Sequence, residues 1–484
     1  MRNLKLVSKI IGHLLYLEAV LMLCCLCISV AYDERDVMSF GISMLVTLVA
    51  GFGLAYYGKD AENSLTRRDS YLVVTLSWVV FSLAGSMPYL WSGYIDNFTD
   101  AYFEAMSCFS TTGLSVSDLQ KSHGLIFWQS LTQWIGGLGI VFFTIAIIPA
   151  FTGGDVKVFA AEATGLSKSR VHPRIKTNSR WIWTTYLMLT ALCVACLMFA
   201  GMDVFDSVNY AMVTTATGGN TPYGGGVMAF HSPLIEYIEI VFMFLAGINF
   251  TLLYSFVFRL KIRQFFRDNE VRFFVMVLVG ATILIFVHLL LSDLGMDVEH
   301  AFRASLFEVT SVITSTGLYN EDVGMWPTFT WFVLALCMMM GACAGSTSGG
   351  IKSVRVLLLI KLAANEFKHI LHPNAILPVK INGAMLSRGN KATLTAFLTI
   401  YIAIVILFCA IFIAMGLPME KSFAVVISCI SNCGPALGRN LDVMFSWATL
   451  PIATKWMCTA LMLIGRLEIF SVLVIFTKSF WQKA

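Results

Sequence analysis

Apolar and polar positions along the chain fall into long blocks and short intervals. Residues 14–31, 38–57, 71–94, 125–150, 181–200, 234–258, 273–291, 329–340, 392–416 and 450–476 meet or approach the roughly 20 mostly apolar residues that a helix needs to cross a bilayer. The eighth of these ten blocks is too short to cross alone. The first follows Arg2, Lys5 and Lys9, as a signal peptide would, but it is long and lacks a convincing small-residue cleavage site, so we read it as a retained helix. The pattern predicts an all-α polytopic membrane protein.

Four polar runs with a central glycine interrupt the blocks: CFSTTGLSVSD from Cys108, TTATGGN from Thr214, TSTGLYN from Thr314 and SNCGPALG from Ser431. Gly113, Gly218, Gly317 and Gly434 recur roughly every hundred residues, too far apart for a solenoid and suited to a repeated membrane subdomain. Aligned on the glycine, the preceding residue is Thr112, Thr217, Thr316 and Cys433. Three positions before it stand Ser110, Thr215, Thr314 and Ser431, and nine before it Glu104, Asn209, Glu308 and Val425. The fourth copy drifts from the others.

Each copy opens near acids, Asp96 and Asp100, Asp203 and Asp206, Asp297 and Glu299, then Glu420, which suit the first turn of a helix. That helix is only about a dozen residues long and, at ~1.5 Å per residue, cannot cross the core. It enters and turns back. Non-helical backbone at membrane depth is tolerated only where it is buried in protein or lines a water-filled cavity. One such turn would be an ordinary loop or a packing contact; four in register predict a shared axis. The expected architecture is two N-terminal helices (1–70) followed by four repeats of helix, pore helix, filter turn and helix around one pore, at 71–180, 181–272, 273–391 and 392–484.

The turns immediately around the four glycines carry no Asp or Glu, which argues against a carboxylate ring of the calcium-selecting kind. A desolvated monovalent cation needs oxygens in place of its water, and rings of backbone carbonyls supply them. Glycine permits the positive φ that aims successive carbonyls one way, and the short helices direct their negative ends to the same place.

Charge placement orients the chain. Most of the 33 Lys and Arg lie in alternate loops, around residues 2–9, 59–68, 157–180, 259–272, 352–391 and 478–483, and basic loops stay cytoplasmic, so both termini are expected inside. This accounts for the net charge of +4 and gives no sign of nucleic acid. With 57% hydrophobic and 13% charged residues and a mean hydropathy of +0.77, cysteines such as Cys24, Cys25, Cys193 and Cys409 read as small hydrophobes inside helices. No Cys/His spacing points to a metal site.

The sequence resembles the Trk/Ktr/HKT superfamily of potassium transporters, in which one chain carries four such repeats, and within it the pore subunit of the bacterial Trk-type branch, because two extra helices precede the first repeat. The resemblance covers essentially the whole chain and rests on FSTTGLS, TATGGN, TSTGLYN, SNCGPALG, QWIGGLGI, GSTSGGIK and GRLEIF. It implies potassium uptake across a bacterial plasma (inner) membrane. The filter would comprise Thr111, Thr112 and Gly113; Ala216, Thr217 and Gly218; Ser315, Thr316 and Gly317; and Asn432, Cys433 and Gly434. In plant relatives serine at the first filter glycine accompanies sodium preference; glycine here implies potassium, with rubidium tolerated and only moderate rejection of sodium. The resemblance also implies a homodimer and a cytoplasmic ring of nucleotide- and NAD-binding regulatory subunits. This chain shows no nucleotide motif of its own, so no cofactor is expected in it.

Residues 328–340 are apolar and then give way to GACAGSTSGGIKS, whose glycines and hydroxyls erode helix propensity before an apolar run resumes at 354–362. A broken helix fits better than one that ends early. By resemblance this is an intramembrane loop that obstructs conduction, with Gly345, Ser346, Thr347, Ser348, Gly349, Gly350 and Lys352 as gate residues. Arg466 reads as lying near the middle of the last span, where a lone Arg costs ~2.5–3.5 kcal/mol. It is expected at the pore beside the loop as a barrier or latch, or else as an inter-helix tie. Glu468 is two residues away, on another side of a helix, so each should have its own contacts.

Two rival readings remain. A secondary transporter, for potassium with sodium or protons or for an organic solute, also uses broken helices, but its repeats are commonly inverted. An intramembrane enzyme would need a fuller constellation than Arg466 and Glu468, the conspicuous charges deep in the spans.

Overall fold

Helix α1 (Leu4–Ala31) and helix α2 (Val37–Tyr57) form an antiparallel hairpin that small residues allow to close tightly. A Cβ on Gly12 would stand 2.6 Å from the backbone nitrogen of Ala55, and one on Gly51 3.0 Å from the carbonyl of Gly12. The outer face of α2 is apolar and open, with Val49 and Phe52 each 64% exposed, as a lipid-facing surface requires. The computed structural model describes residues 3–62, 66–116, 122–139, 175–223, 225–292, 294–375, 377–386, 388–435 and 447–482.

Four units follow. The first comprises α3 (Arg67–Gly85), α4 (Met87–Trp91), the short α5 (Phe98–Phe109) and α6 (His123–Leu138). Thr66 and Asp69 start α3 with a reciprocal capping box. The second comprises α7 (Ile175–Phe199), the short α8 (Val204–Ala216), α9 (Pro233–Ala246) and α10 (Phe250–Val257), and α11 (Ile262–Arg267) leads on from it. The third comprises α12 (Asn269–Leu290), the short α13 (Val298–Ile313), α14 (Thr328–Met340) and α15 (Ser353–Leu371). A two-stranded hairpin, β1 (Lys380–Ile381) and β2 (Ala384–Met385), precedes the fourth: α16 (Arg388–Ala414), the short α17 (Met419–Ser431), α18 (Ile452–Arg466) and α19 (Phe470–Leu473).

Among the described residues, six helices are each long and apolar enough to cross a membrane: Leu4–Ala31, Val37–Tyr57, Arg68–Trp91, Trp181–Phe199, Asn269–Leu290 and Gly389–Ala414. Three of the other four expected spans are not continuous. The sixth bends by 108° between α9 and α10, the tenth by 109° after α18, and the eighth is the short helix Thr328–Met340. The second half of the fourth, 140–150, lies outside the described residues, as does most of the basic loop 157–180. A sequence window averages hydropathy and cannot see a bend made by two or three residues.

Buried and half-buried ion pairs join the second helix of one unit to the short helix of the next. Glu236, the fourth residue of α9, takes Arg303 of α13 at 2.6 Å. Lys455, the fourth residue of α18, takes Asp100 of α5 at 2.6 Å and so joins the last unit to the first, with the signs exchanged. Breaking a buried pair leaves an uncompensated charge. Arg303→Met is therefore expected to destabilise by about 3–5 kcal/mol, while the double change Arg303→Met with Glu236→Met recovers most of that loss. Thermal unfolding midpoints of the purified variants in detergent check both outcomes.

Candidate functional site

The four short helices are 12, 13, 16 and 13 residues long and end in the same way. Thr111, Thr217, Ser315 and Asn432 all adopt left-handed backbone, with φ of 52°, 54°, 53° and 50°. The amide of each reaches back three residues, to Cys108, Thr214, Val312 and Cys429, and the next amide reaches back five, to Ser107, Val213, Ser311 and Ser428. This closure satisfies carbonyls that a helix end leaves orphaned. None of the four left-handed residues is glycine. Strain of this kind persists where the surroundings over-determine it.

A glycine with positive φ follows two residues later in every unit: Gly113, Gly219, Gly317 and Gly434. This corrects the register of the second turn. Sequence alignment on Gly218 equated Thr217 with Thr112 and Thr316, but the backbone equates Thr217 with Thr111, and Thr217, Gly218 and Gly219 match Thr111, Thr112 and Gly113. Ala216 still belongs to helix α8 and matches Ser110 and Thr314. The correction also puts Tyr210, rather than Asn209, level with Glu104 and Glu308.

The turns meet in a closed ring. A Cβ on Gly113 would fall on the carbonyl oxygen of Gly218, one on Gly219 on that of Thr316, one on Gly317 on that of Cys433, and one on Gly434 2.7 Å from that of Thr112. Each unit thus abuts the next in chain order, and the fourth returns to the first. Thr111, Thr112, Thr217, Ser315, Thr316, Asn432 and Cys433 are all buried. Asn432, the residue that makes the fourth copy irregular, also crosses the seam, donating to Thr112 Oγ1 at 3.0 Å and to the Met462 carbonyl at 3.0 Å.

Beyond this ring, α6, α9, α14 and α18 all end. Leu138 of α6 is followed by Gly139 at φ 75°, α9 stops before Gly247, α14 stops before Gly341, and α18 stops before Leu467. The sequence signalled only the third of these breaks. In the second, Asn249 starts the next helix segment by accepting from the amides of Thr251 and Leu252, an N-cap signal within an apolar run. In the fourth, Glu468 and Ile469 both take positive φ, so Arg466 lies at the mouth of a bend and not in mid-span.

The segment between α14 and α15 lies against the underside of the ring. Gly349 N–H donates to Ser315 Oγ at 2.5 Å, Thr347 Oγ1 donates to the Thr215 carbonyl at 3.2 Å, and a Cβ on Gly349 would strike the Ser431 carbonyl. Ser346 caps the Cys343 carbonyl and faces Ser348 Oγ at 3.0 Å, while Lys352 folds back onto the Ser348 carbonyl. Gly345 accepts from the Phe250 amide at 3.1 Å, and Gly350 keeps a φ of 75° against Gly341.

Arg466 holds this segment to another unit. Its guanidinium donates to the carbonyls of Thr347 at 2.7 Å, Gly136 at 2.5 Å and Gly137 at 2.8 Å, so it ties the two segments together. Glu468 pairs instead with Arg355, whose guanidinium lies over the Phe397 ring at 4.2 Å. The two charges do have separate contacts.

Several partners escaped the sequence. Glu270 accepts from the Ala344 amide at 2.5 Å, and Asn249 donates to the Ala344 carbonyl at 2.6 Å. Arg466 and Glu468 are also not the main buried charges: Glu18, Glu104, Glu239, Glu308 and Lys352 are buried too. Only the fold reveals which face of a helix such residues occupy.

Re-entrant helices converging on one central ring, within a set of membrane-crossing helices, define a multi-pass membrane transport protein. The sequence pattern of the TrkH family, described as cation transport proteins, matches residues 37–483, and the chain belongs to that family. It is 31% identical to the Trk system potassium uptake protein TrkH of Escherichia coli (strain K12), covering 99% of this chain and 100% of the relative. It is 32% identical to the Trk system potassium uptake protein TrkG of the same strain, covering 99% of each. The crystal structure of the potassium transporter TrkH from Vibrio parahaemolyticus superposes with a TM-score of 0.89 at 30% identity, over 99% of this chain and 100% of the other. The family is one of transporters, not enzymes.

The ring makes a stability prediction. Gly219→Ala forces a Cβ both into positive φ and onto the Thr316 carbonyl, whereas Gly93→Ala, at the same φ of 76° with nothing within 4 Å, suffers the backbone strain alone. Gly93→Ala should cost about 1–2 kcal/mol and Gly219→Ala clearly more. Thermal midpoints in detergent measure the difference.

Proposed function

We propose that this chain takes up potassium across the bacterial inner membrane, through a pore whose selectivity filter is the ring of four turns. The closed ring carries the proposal: four backbone segments in one conformation, each fitted against the next, offer carbonyl oxygens without any carboxylate. Carbonyl rings suit a monovalent cation that has shed its water. The names of the relatives point the same way. The filter positions are Thr111, Thr112 and Gly113; Thr217, Gly218 and Gly219; Ser315, Thr316 and Gly317; and Asn432, Cys433 and Gly434.

The segment from Gly341 through Lys352 acts as the gate. Its contacts with three of the four units lie directly against the ring, and Arg466 secures it to Gly136 and Gly137. Basic loops keep both termini cytoplasmic. A second copy of the chain and a cytoplasmic nucleotide-binding regulatory ring complete the assembly, as the likeness to Trk systems implies, and any ATP, ADP or NAD dependence belongs to that ring.

Expression in a potassium-uptake-deficient bacterium tests the filter. The parent chain should restore growth at low potassium and Gly113→Asp should not; rescue by both would reject the ring as the filter. The gate has its own test in rubidium flux into liposomes. A hydrogen bond from a charged group is worth ~1.5–3 kcal/mol, so Arg466→Ala should raise resting flux by about tenfold or more. Deletion within the stretch Gly345 to Gly350 should do likewise, and unchanged flux in both variants would exclude the loop as the gate.

A further inference from the structure

The ring has one quarter with fewer means of holding itself. In the first turn Ser110 Oγ and Thr112 Oγ1 meet at 2.6 Å, and in the third Thr314 Oγ1 and Thr316 Oγ1 meet at 2.7 Å, so a hydroxyl pair braces each from within. The fourth is held by Asn432 to Thr112 and Met462, and by Ser431 to the Tyr401 hydroxyl at 3.1 Å. In the second turn the equivalent positions are Ala216 and Gly218, which have no polar side chain. Its one hydroxyl, on Thr217, bonds the adjacent Ala216 carbonyl at 2.7 Å.

The missing place is filled from the preceding unit. A Cβ on Gly218 would land on Gln133 Oε1, so this side chain occupies the volume that a residue-218 side chain would need. Gln133 Oε1 accepts from the Asn220 amide at 3.2 Å, and its Nε2 donates to the carbonyls of Gln129 at 3.2 Å and Asn220 at 3.4 Å. Behind it, Glu104 Oε1 accepts from Gln129 Nε2 at 3.0 Å and Asn220 Nδ2 at 3.4 Å, and its Oε2 accepts from the Val116 amide at 2.8 Å. Gln133, Gln129 and Glu104 are 0%, 1% and 0% exposed. The return strands of the first and second turns are thereby fixed to one buried network.

We infer that Gln133 is a positioning and specificity-determining residue: it replaces, from the first unit, the internal brace that the second turn lacks, and so sets where that quarter of the ring stands relative to a bound cation. This rests on the ring being the cation filter. A small ion is accommodated when one quarter of a carbonyl ring relaxes inward, so loss of the brace should weaken the preference for the larger ion more than it slows transport. Gln129 and Glu104 act through Gln133 and Asn220 and not on the ion.

The test is the ratio of rubidium to sodium uptake by the full-length protein in liposomes. Gln133→Ala, and Gln133→Leu, which keeps the bulk without the hydrogen bonds, should lower the ratio about three- to tenfold, the scale of one lost hydrogen bond, with rubidium uptake retained. A triple variant with Gln133→Ala, Ala216→Ser and Gly218→Thr builds the first turn's hydroxyl pair into the space vacated and should regain most of the lost ratio, which a merely structural role for Gln133 would not predict. An unchanged ratio in both single variants, or a triple variant no more selective than Gln133→Ala, overturns the inference. If neither single variant folds, a folded and selective triple variant supports it and an unfolded one overturns it. Gly113→Asp runs alongside: its loss of rubidium uptake with unchanged ratios in the Gln133 variants overturns this inference alone, and undiminished uptake in Gly113→Asp overturns the ring as the filter.

Discussion

Unpaired backbone cannot sit at membrane depth unless protein or water satisfies it, and this constraint organises the molecule. Four helices stop partway across, and the carbonyls they would strand are taken up by the amides of Thr111 and Thr112 and their counterparts. The turns that follow are fitted glycine to carbonyl around a closed ring. Just past the ring the second helix of each unit ends as well. There the exposed polar groups find Arg466, Asn249, Glu270 and the inserted segment 341–352. The ring and the inserted segment are two answers to one problem.

The units are alike in backbone and unlike in side chains. The Schellman-type closure and the left-handed residue recur four times, while the braces behind them differ: hydroxyl pairs in the first and third turns, a borrowed glutamine at the second, and an asparagine crossing the seam at the fourth. The ion pairs at Glu236 and Lys455 occupy the same place in two second helices with their signs reversed. Within one chain each quarter is free to change its support so long as the ring closes.

The repeat was legible because a polar, glycine-bearing run is conspicuous in an apolar chain, and four of them imply a common purpose. The break after Met340 was legible for the same reason. What escaped was geometry made by few residues. The bend at Gly247 to Asn249 is two polar positions in an otherwise apolar window, and the bend after Arg466 depends on positive φ at Glu468 and Ile469, residues with no special liking for it. The register of the second turn was misread because Thr217 matched Thr112 and Thr316 in type, while the helix before it runs one residue further before closing. Gln133 was visible in QWIGG, but only the fold places it against Gly218.

As a filter, the four turns would hold one dehydrated cation on their shared axis. Crystals grown in rubidium, with anomalous scattering recorded at the rubidium edge, test it directly. The account predicts a peak on the ring axis at the level of the Thr112, Gly218, Thr316 and Cys433 carbonyls, lost in Gly113→Asp. A ring empty of rubidium in protein that transports it, with the ion bound elsewhere, would contradict the account.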